Sequence, residues 1–143
     1  MKGKARVINE GKQSIDILLM GCIFAVLAVG LGAFGAHGLK DILLKYDRIQ
    51  TFETAVQYHM FHSIGILIVA LAQFKSKSSL KLVAFLFAAG IFVFSGSLYI
   101  LSVTNFTWLG MITPIGGVSF ILGWIILIAR LWSIKESFEN EKV

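Results

Sequence analysis

Four long apolar stretches, each broken by only a few polar positions, dominate the chain: roughly residues 15–37, 52–73, 80–103 and 108–131. A helix rises about 1.5 Å per residue, so about 20 residues cross a hydrocarbon core of about 30 Å, and each stretch is long enough. The connectors LKDILLKYDRIQ, FKSKSSLK and TNFTW are short. Short connectors make consecutive helices antiparallel neighbours. The pattern therefore predicts an all-α, polytopic membrane protein, a four-transmembrane-helix up-and-down bundle in which residues 1–143 form one integral membrane domain. No strand-like alternation and no internal repeat is evident, so an inverted-repeat transporter is not expected.

Composition agrees with this reading. Of 143 residues, 57% are hydrophobic and 15% charged, and the mean hydropathy is +0.81, too apolar for an ordinary soluble domain. The single cysteine, Cys22, falls inside the first stretch. It excludes an intrachain disulfide and is expected to be a small buried hydrophobe. The formal charge of +5 comes from lysines and arginines spread over connectors, not gathered on one face, so nucleic acid is not an expected partner.

In a membrane protein, loop charge encodes orientation. With the N-terminus inside, the inside segments carry ten Lys or Arg and the outside segments three. Tyr46 and Trp108 then fall where outer interfacial aromatics belong. Both termini are expected in the cytoplasm, and the protein in the cytoplasmic membrane of a bacterial cell. Lys2, Lys4, Arg6 and Lys12 precede the first stretch as they would precede a secretory signal, but the stretch is too long for a signal core and reads as a retained anchor. In the first connector, Leu39, Ile42, Leu43 and Ile49 recur at near-helical spacing. Either an interfacial helix or a polar loop with incidental leucines accounts for it. The tail KESFENEK is expected to extend the last helix.

The topology gathers the unusual polarity at one depth. His37 ends the first stretch; Glu53, Gln57, His59 and His62 begin the second from the same side; Ser95, Ser97, Tyr99 and Ser102 fall in the matching half of the third, and Thr113 in that of the fourth. Ionisable groups at membrane depth are costly unless paired, so these should face the bundle interior. On a helical wheel Glu53 and Gln57 are about 40° apart, as are Tyr58 and His62, while His59 and His62 are about 60° apart. Two neighbouring polar ridges result. One reading is a ligand or proton-binding site of His37, Glu53, Gln57, His62, Ser95, Ser97, Tyr99 and Thr113, with His37 and His62 as carriers and Glu53 as their carboxylate partner. The other is interhelical hydrogen bonding that only holds the bundle together.

Other chemistry is thinly supported. His59 and His62 with Glu53 contain metal donors, but no HExxH or CxxC spacing is present and a third ligand would have to come from His37. No metal and no cofactor is expected. FSGSL lacks the GxSxG turn, and no catalytic residue is assigned. Ala28, Gly32 and Ala36, and Ser119 and Gly123, recur every fourth residue and should let helices approach closely. Pro114, followed by Gly116 and Gly117, predicts a kink or local unwinding inside the fourth stretch.

The motifs GAFGAHGL, FETAVQYHMFH, FSGSLYIL and ITPIGGVSFILGW, in that order, resemble the small bacterial membrane proteins called domain of unknown function 423, related to transmembrane protein 256 of eukaryotes. The resemblance covers about residues 15–130. It implies a multi-spanning membrane protein and brings no activity, substrate or cofactor. His37 and His62 fit the family pattern as it is resembled here, whereas the position of His59 is more often Gln, which turns the expectation toward His37, Glu53 and His62. The leading expectation is a structural, accessory or partner-binding membrane protein. Its partners would be the lipid bilayer and a second copy (a homo-oligomer) or another membrane protein. A small-solute or proton-linked transporter is the alternative, and a metal-dependent membrane enzyme a third.

Overall fold

A computed structural model describes residues 2–74 and 79–140. Its elements in chain order are α1 (Lys2–His37), α2 (Lys40–Lys45), α3 (Ile49–Gln73), α4 (Lys81–Gly90), a π turn (Ile91–Ser95), α5 (Gly96–Thr104), a 3-10 turn (Thr107–Met111) and α6 (Thr113–Asn140). Among the described residues no strand occurs. Four stretches are long and apolar enough to cross a membrane: Gly11–His37, Ile49–Gln73, Lys81–Thr104 and Thr107–Glu136, here spans 1 to 4. They match the four predicted stretches. Lys75, Lys77 and Lys142, which contribute to the orientation tally, lie outside the described residues.

Successive spans pack side by side, span 1 on span 2, span 2 on span 3 and span 3 on span 4, and among the described residues spans 1 and 4 make no comparable contact. The buried positions explain how. In span 2 they include Phe52, Ala55, His59, His62, Ile66, Val69 and Gln73, alternating steps of three and four. That 3.5-residue period is the seam of helices crossing at a shallow left-handed angle. Span 1 follows it with Ser14, Ile17, Gly21, Phe24, Ala28 and Gly35, and span 4 with Thr113, Gly116, Phe120, Gly123 and Leu127.

The small residues on these seams set the helix separation. A methyl group at Gly21 would strike Leu67, one at Gly35 the ring of Phe52, and one at Gly90 the ring of Phe120. The expected stripe of every fourth residue is thus only partly realised: Ala28 is buried but Ala36 is exposed, because the seam on span 1 advances by sevens. Ser119 and Gly123 do pack at the interface of spans 3 and 4, where Ser119 Oγ donates to the carbonyl of Leu86 at 2.7 Å and Gly123 abuts the ring of Phe87. Cys22 corrects another expectation, since it lies on the outer face of span 1, exposed and not buried.

Pro114 makes no kink inside span 4. It sits in the first turn of α6, which starts at Thr113, where a missing N–H costs no helical hydrogen bond. Span 4 is irregular just before Pro114, where the 3-10 turn Thr107–Met111 gives way to α6, and span 3 is irregular at the π turn Ile91–Ser95, directly opposite Gly116, whose added methyl would come within 2.8 Å of Phe94 Cα.

The ends are tied as an up-and-down bundle requires. The first connector folds as α2 with Leu43 buried. Asp47 and Asn105 take positive φ angles, 54° and 56°, which short polar side chains tolerate better than most. Arg48 reaches across to Asn105 at the same end of the bundle, Nη2 to Oδ1 at 3.0 Å. At the other end, Gln73 Oε1 accepts the backbone N–H of Leu80 at 2.6 Å, satisfying a donor at the start of α4. The tail continues α6, with Trp132 Nε1 donating to Glu136 at 2.8 Å.

Candidate functional site

His62 stands near the middle of span 2 and is 6% exposed. Trp124 Nε1, which can only donate, points at His62 Nε2 from span 4 at 3.2 Å. His62 Nδ1 lies 2.8 Å from the carbonyl oxygen of Tyr58 one turn earlier, and that oxygen can only accept. The two partners fix the neutral tautomer with its hydrogen on Nδ1. Aromatic rings close the rest of the site: Phe120 stacks on the imidazole, centroids 3.4 Å apart at an interplanar angle of 10°, and Phe87 meets it edge-on at 5.4 Å.

His59, 4% exposed, faces span 3 instead. Its Nδ1 is 3.3 Å from the Tyr99 hydroxyl, and the ring of Phe24 from span 1 meets it edge-on at 5.8 Å. Tyr99 in turn leans on Phe52, ring centroids 5.0 Å apart. Two buried polar atoms in this layer have no hydrogen-bond partner among the described residues, His59 Nε2 and Ser95 Oγ. Ser95 closes the π turn one helical turn before Tyr99, and such turns recur at functional sites.

Ser97 and Thr113 join spans 3 and 4 through a hydroxyl pair at 2.9 Å. Ser97 Oγ also approaches the carbonyl of Phe94 at 2.9 Å. Ser63 and Ser102 donate back to the carbonyls of His59 and Leu98, both at 2.7 Å, the local bonding by which a helix satisfies a buried hydroxyl.

The expected convergence of His37 and Glu53 on His62 is not formed. His37, Glu53 and Gln57 are exposed, whereas His62, Ser95, Ser97 and Thr113 are buried and Tyr99 is half-buried. The reason is helical phase. Nine residues at about 100° each put Glu53 about 180° from His62, so the two cannot share a face. Glu53 and Gln57 border a separate groove between α1, α2 and α3. His59, set aside by the family pattern, occupies the position beside Tyr99 instead.

Trp124 and Phe120 went unread in the sequence, hidden in the apolar run SFILGWIILIA. Trp124 is 37% exposed, but an indole N–H set in an apolar run still needs an acceptor, and that requirement is the available signal. The opposite half of the bundle also buries polar side chains, Ser14 and Gln73. No three His, Cys, Asp or Glu side chains among the described residues stand together as a metal-ligand set.

Fold and site together define a four-span helical membrane protein with a hydrogen-bonded aromatic core. The family model described as "Protein of unknown function (DUF423)" matches residues 31–117. The UPF0382 membrane protein YwdK of Bacillus subtilis is 52% identical over 114 residues, covering 78% of this chain and 91% of its own. A UPF0382 membrane protein of Staphylococcus epidermidis is 46% identical over 112 residues, with 78% and 90% covered. One from Staphylococcus saprophyticus is 42% identical over 118 residues, with 82% and 97% covered. No solved structure matches. The chain belongs to the DUF423 family of membrane proteins.

Proposed function

We propose that this protein is a non-enzymatic accessory component of the cytoplasmic membrane, both termini inside, whose polar core locks spans 2, 3 and 4 into a rigid unit that a partner membrane protein can recognise. One observation carries the reading: both ring nitrogens of His62 are already committed, one to the Tyr58 carbonyl and one to the Trp124 indole. A carrier needs a free valence at some point of its cycle, and this imidazole is used as a cross-tie. The charge tally of the connectors supports the orientation.

The test is reconstitution. Wild-type protein in liposomes is expected to give no proton or small-solute flux above protein-free liposomes, while His62→Ala loosens the bundle. A flux that His62→Ala abolishes without unfolding the protein overturns the reading.

A second reading, a proton-linked conduit, draws on His59 and Ser95, whose Nε2 and Oγ lack partners. Against it stands the layer beyond, where Ile66, Val69, Phe87 and Leu127 pack into an apolar core and the buried Ser14 and Gln73 lie farther along the spans. A flux abolished by His59→Phe would favour it.

A further inference from the structure

A groove of about 520 Å³ lies on the outer side of α1, α2 and α3, away from the histidine core. That volume is in the range of small-ligand sites. Its inner wall is apolar and low, made by Gly32, Gly35, Phe52 and Val56, and its rim carries Lys40, Glu53 and Gln57.

Depth separates the two parts. Lys40 opens α2, three residues past the end of α1, and Glu53 is about 6 Å along α3 from its start. Both charges therefore stand at the membrane–water boundary, while Gly32 and Val56 lie deeper. Neither Lys40 nor Glu53 makes a hydrogen bond or ion pair with another described residue. An ammonium and a carboxylate thus rim one apolar trough at headgroup height without neutralising each other.

We propose that this groove binds a zwitterionic aminophospholipid. Lys40 meets the phosphate, Glu53 accepts hydrogen bonds from the primary ammonium, and the start of an acyl chain lies over Gly32 and Gly35. The rim selects this chemistry. A purely anionic headgroup would set its charge against the Glu53 carboxylate, and a quaternary ammonium has no N–H to give. The floor excludes a fully water-soluble ligand, which would leave its polar groups unpaired against Phe52 and Val56. The proposal is independent of the accessory role, since none of its residues touches His62 or Trp124.

Native mass spectrometry of the full-length protein titrated with phosphatidylethanolamine, phosphatidylcholine and phosphatidylglycerol of matched acyl chains tests it. Phosphatidylethanolamine is expected to bind about tenfold more tightly than the other two, the effect of one charge-assisted hydrogen bond. Glu53→Gln should bring it down to the phosphatidylcholine level, and Lys40→Gln should weaken all three. Stepwise N-methylation of the ethanolamine headgroup, measured on wild-type protein alone, should lower affinity with each N–H removed. Equal binding of the three lipids, a preference that survives Glu53→Gln, indifference to methylation, or a protein dimer that closes the groove to lipid each overturns the proposal.

Discussion

Arg48 and Asn105 are 57 residues apart in sequence, yet the guanidinium Nε and Nη2 share the Asn105 side-chain oxygen at 3.2 and 3.0 Å. The contact fastens the connector between spans 1 and 2 to the connector between spans 3 and 4. Arg48→Ala and Asn105→Gly, the latter chosen because Asn105 has a φ of 56°, should show a coupling of about 1 kcal/mol or less in a double-mutant cycle. Unfolding in mixed detergent micelles measures it. Strictly additive losses would mean that the tie contributes nothing.

His62 should be the most sensitive polar residue of the core. His62→Ala removes two hydrogen bonds and a stacked ring, with an expected loss of about 2 to 4 kcal/mol. Trp124→Phe keeps an aromatic ring but leaves His62 Nε2 without its donor, for a loss of about 1 to 2 kcal/mol. Nitrogen NMR of histidine-labelled protein should find the hydrogen of His62 on Nδ1. A hydrogen on Nε2 would contradict the Trp124 bond.

Ser95 and Ser97 are separated by one residue and should behave oppositely. Ser95→Ala deletes a buried hydroxyl that has no partner among the described residues, so stability should be unchanged or slightly raised. Ser97→Ala breaks the 2.9 Å bond to Thr113 and should cost about 0.6 kcal/mol, typical of a hydrogen bond between helices in a bilayer. Equal effects of the two substitutions in thermal melts would show that the hydroxyl pair is idle.

Gly116→Ala drives a methyl into the Phe94 backbone, which neither a rotamer change nor a small shift relieves. An expected loss of about 1 to 3 kcal/mol, or failure to accumulate in the membrane, follows. Gly30→Ala is the control, because nothing lies within 4 Å of that position. Pro114→Ala should change stability by less than about 1 kcal/mol, since its place in the first turn already suits proline. A larger loss in melting experiments would argue for a structural kink after all.

The spans were legible because length and apolar content are one-dimensional properties. Much of the site was legible too, but through phase and not through kinship. Phe52, His59, Ile66 and Gln73 fall every seventh residue, as do Ala55, His62 and Val69, and that repeat alone puts both histidines on the seam and Glu53 and Gln57 off it. Counting only close spacings on the wheel missed the half-turn between Glu53 and His62. The partnership with Trp124 depends on which residues of separate spans meet at one height, and no periodicity within a span encodes that. The π turn is not legible for a related reason: IFVFS has neither glycine nor proline, and Gly116 packs against it from another helix.

That widened turn adds a residue to span 3 without adding a full step of rotation, so the two halves of the helix are phased separately. Gly90 and Phe87 address Phe120 and Trp124 on one side of it; Tyr99 and Ser97 address His59 and Thr113 on the other. Were the same residues wound as an unbroken α-helix instead, with none removed, every later side chain would swing by nearly one residue's step, about 100°. Tyr99 would lose His59 and Ser97 would lose Thr113 while the chain still reached across the bilayer.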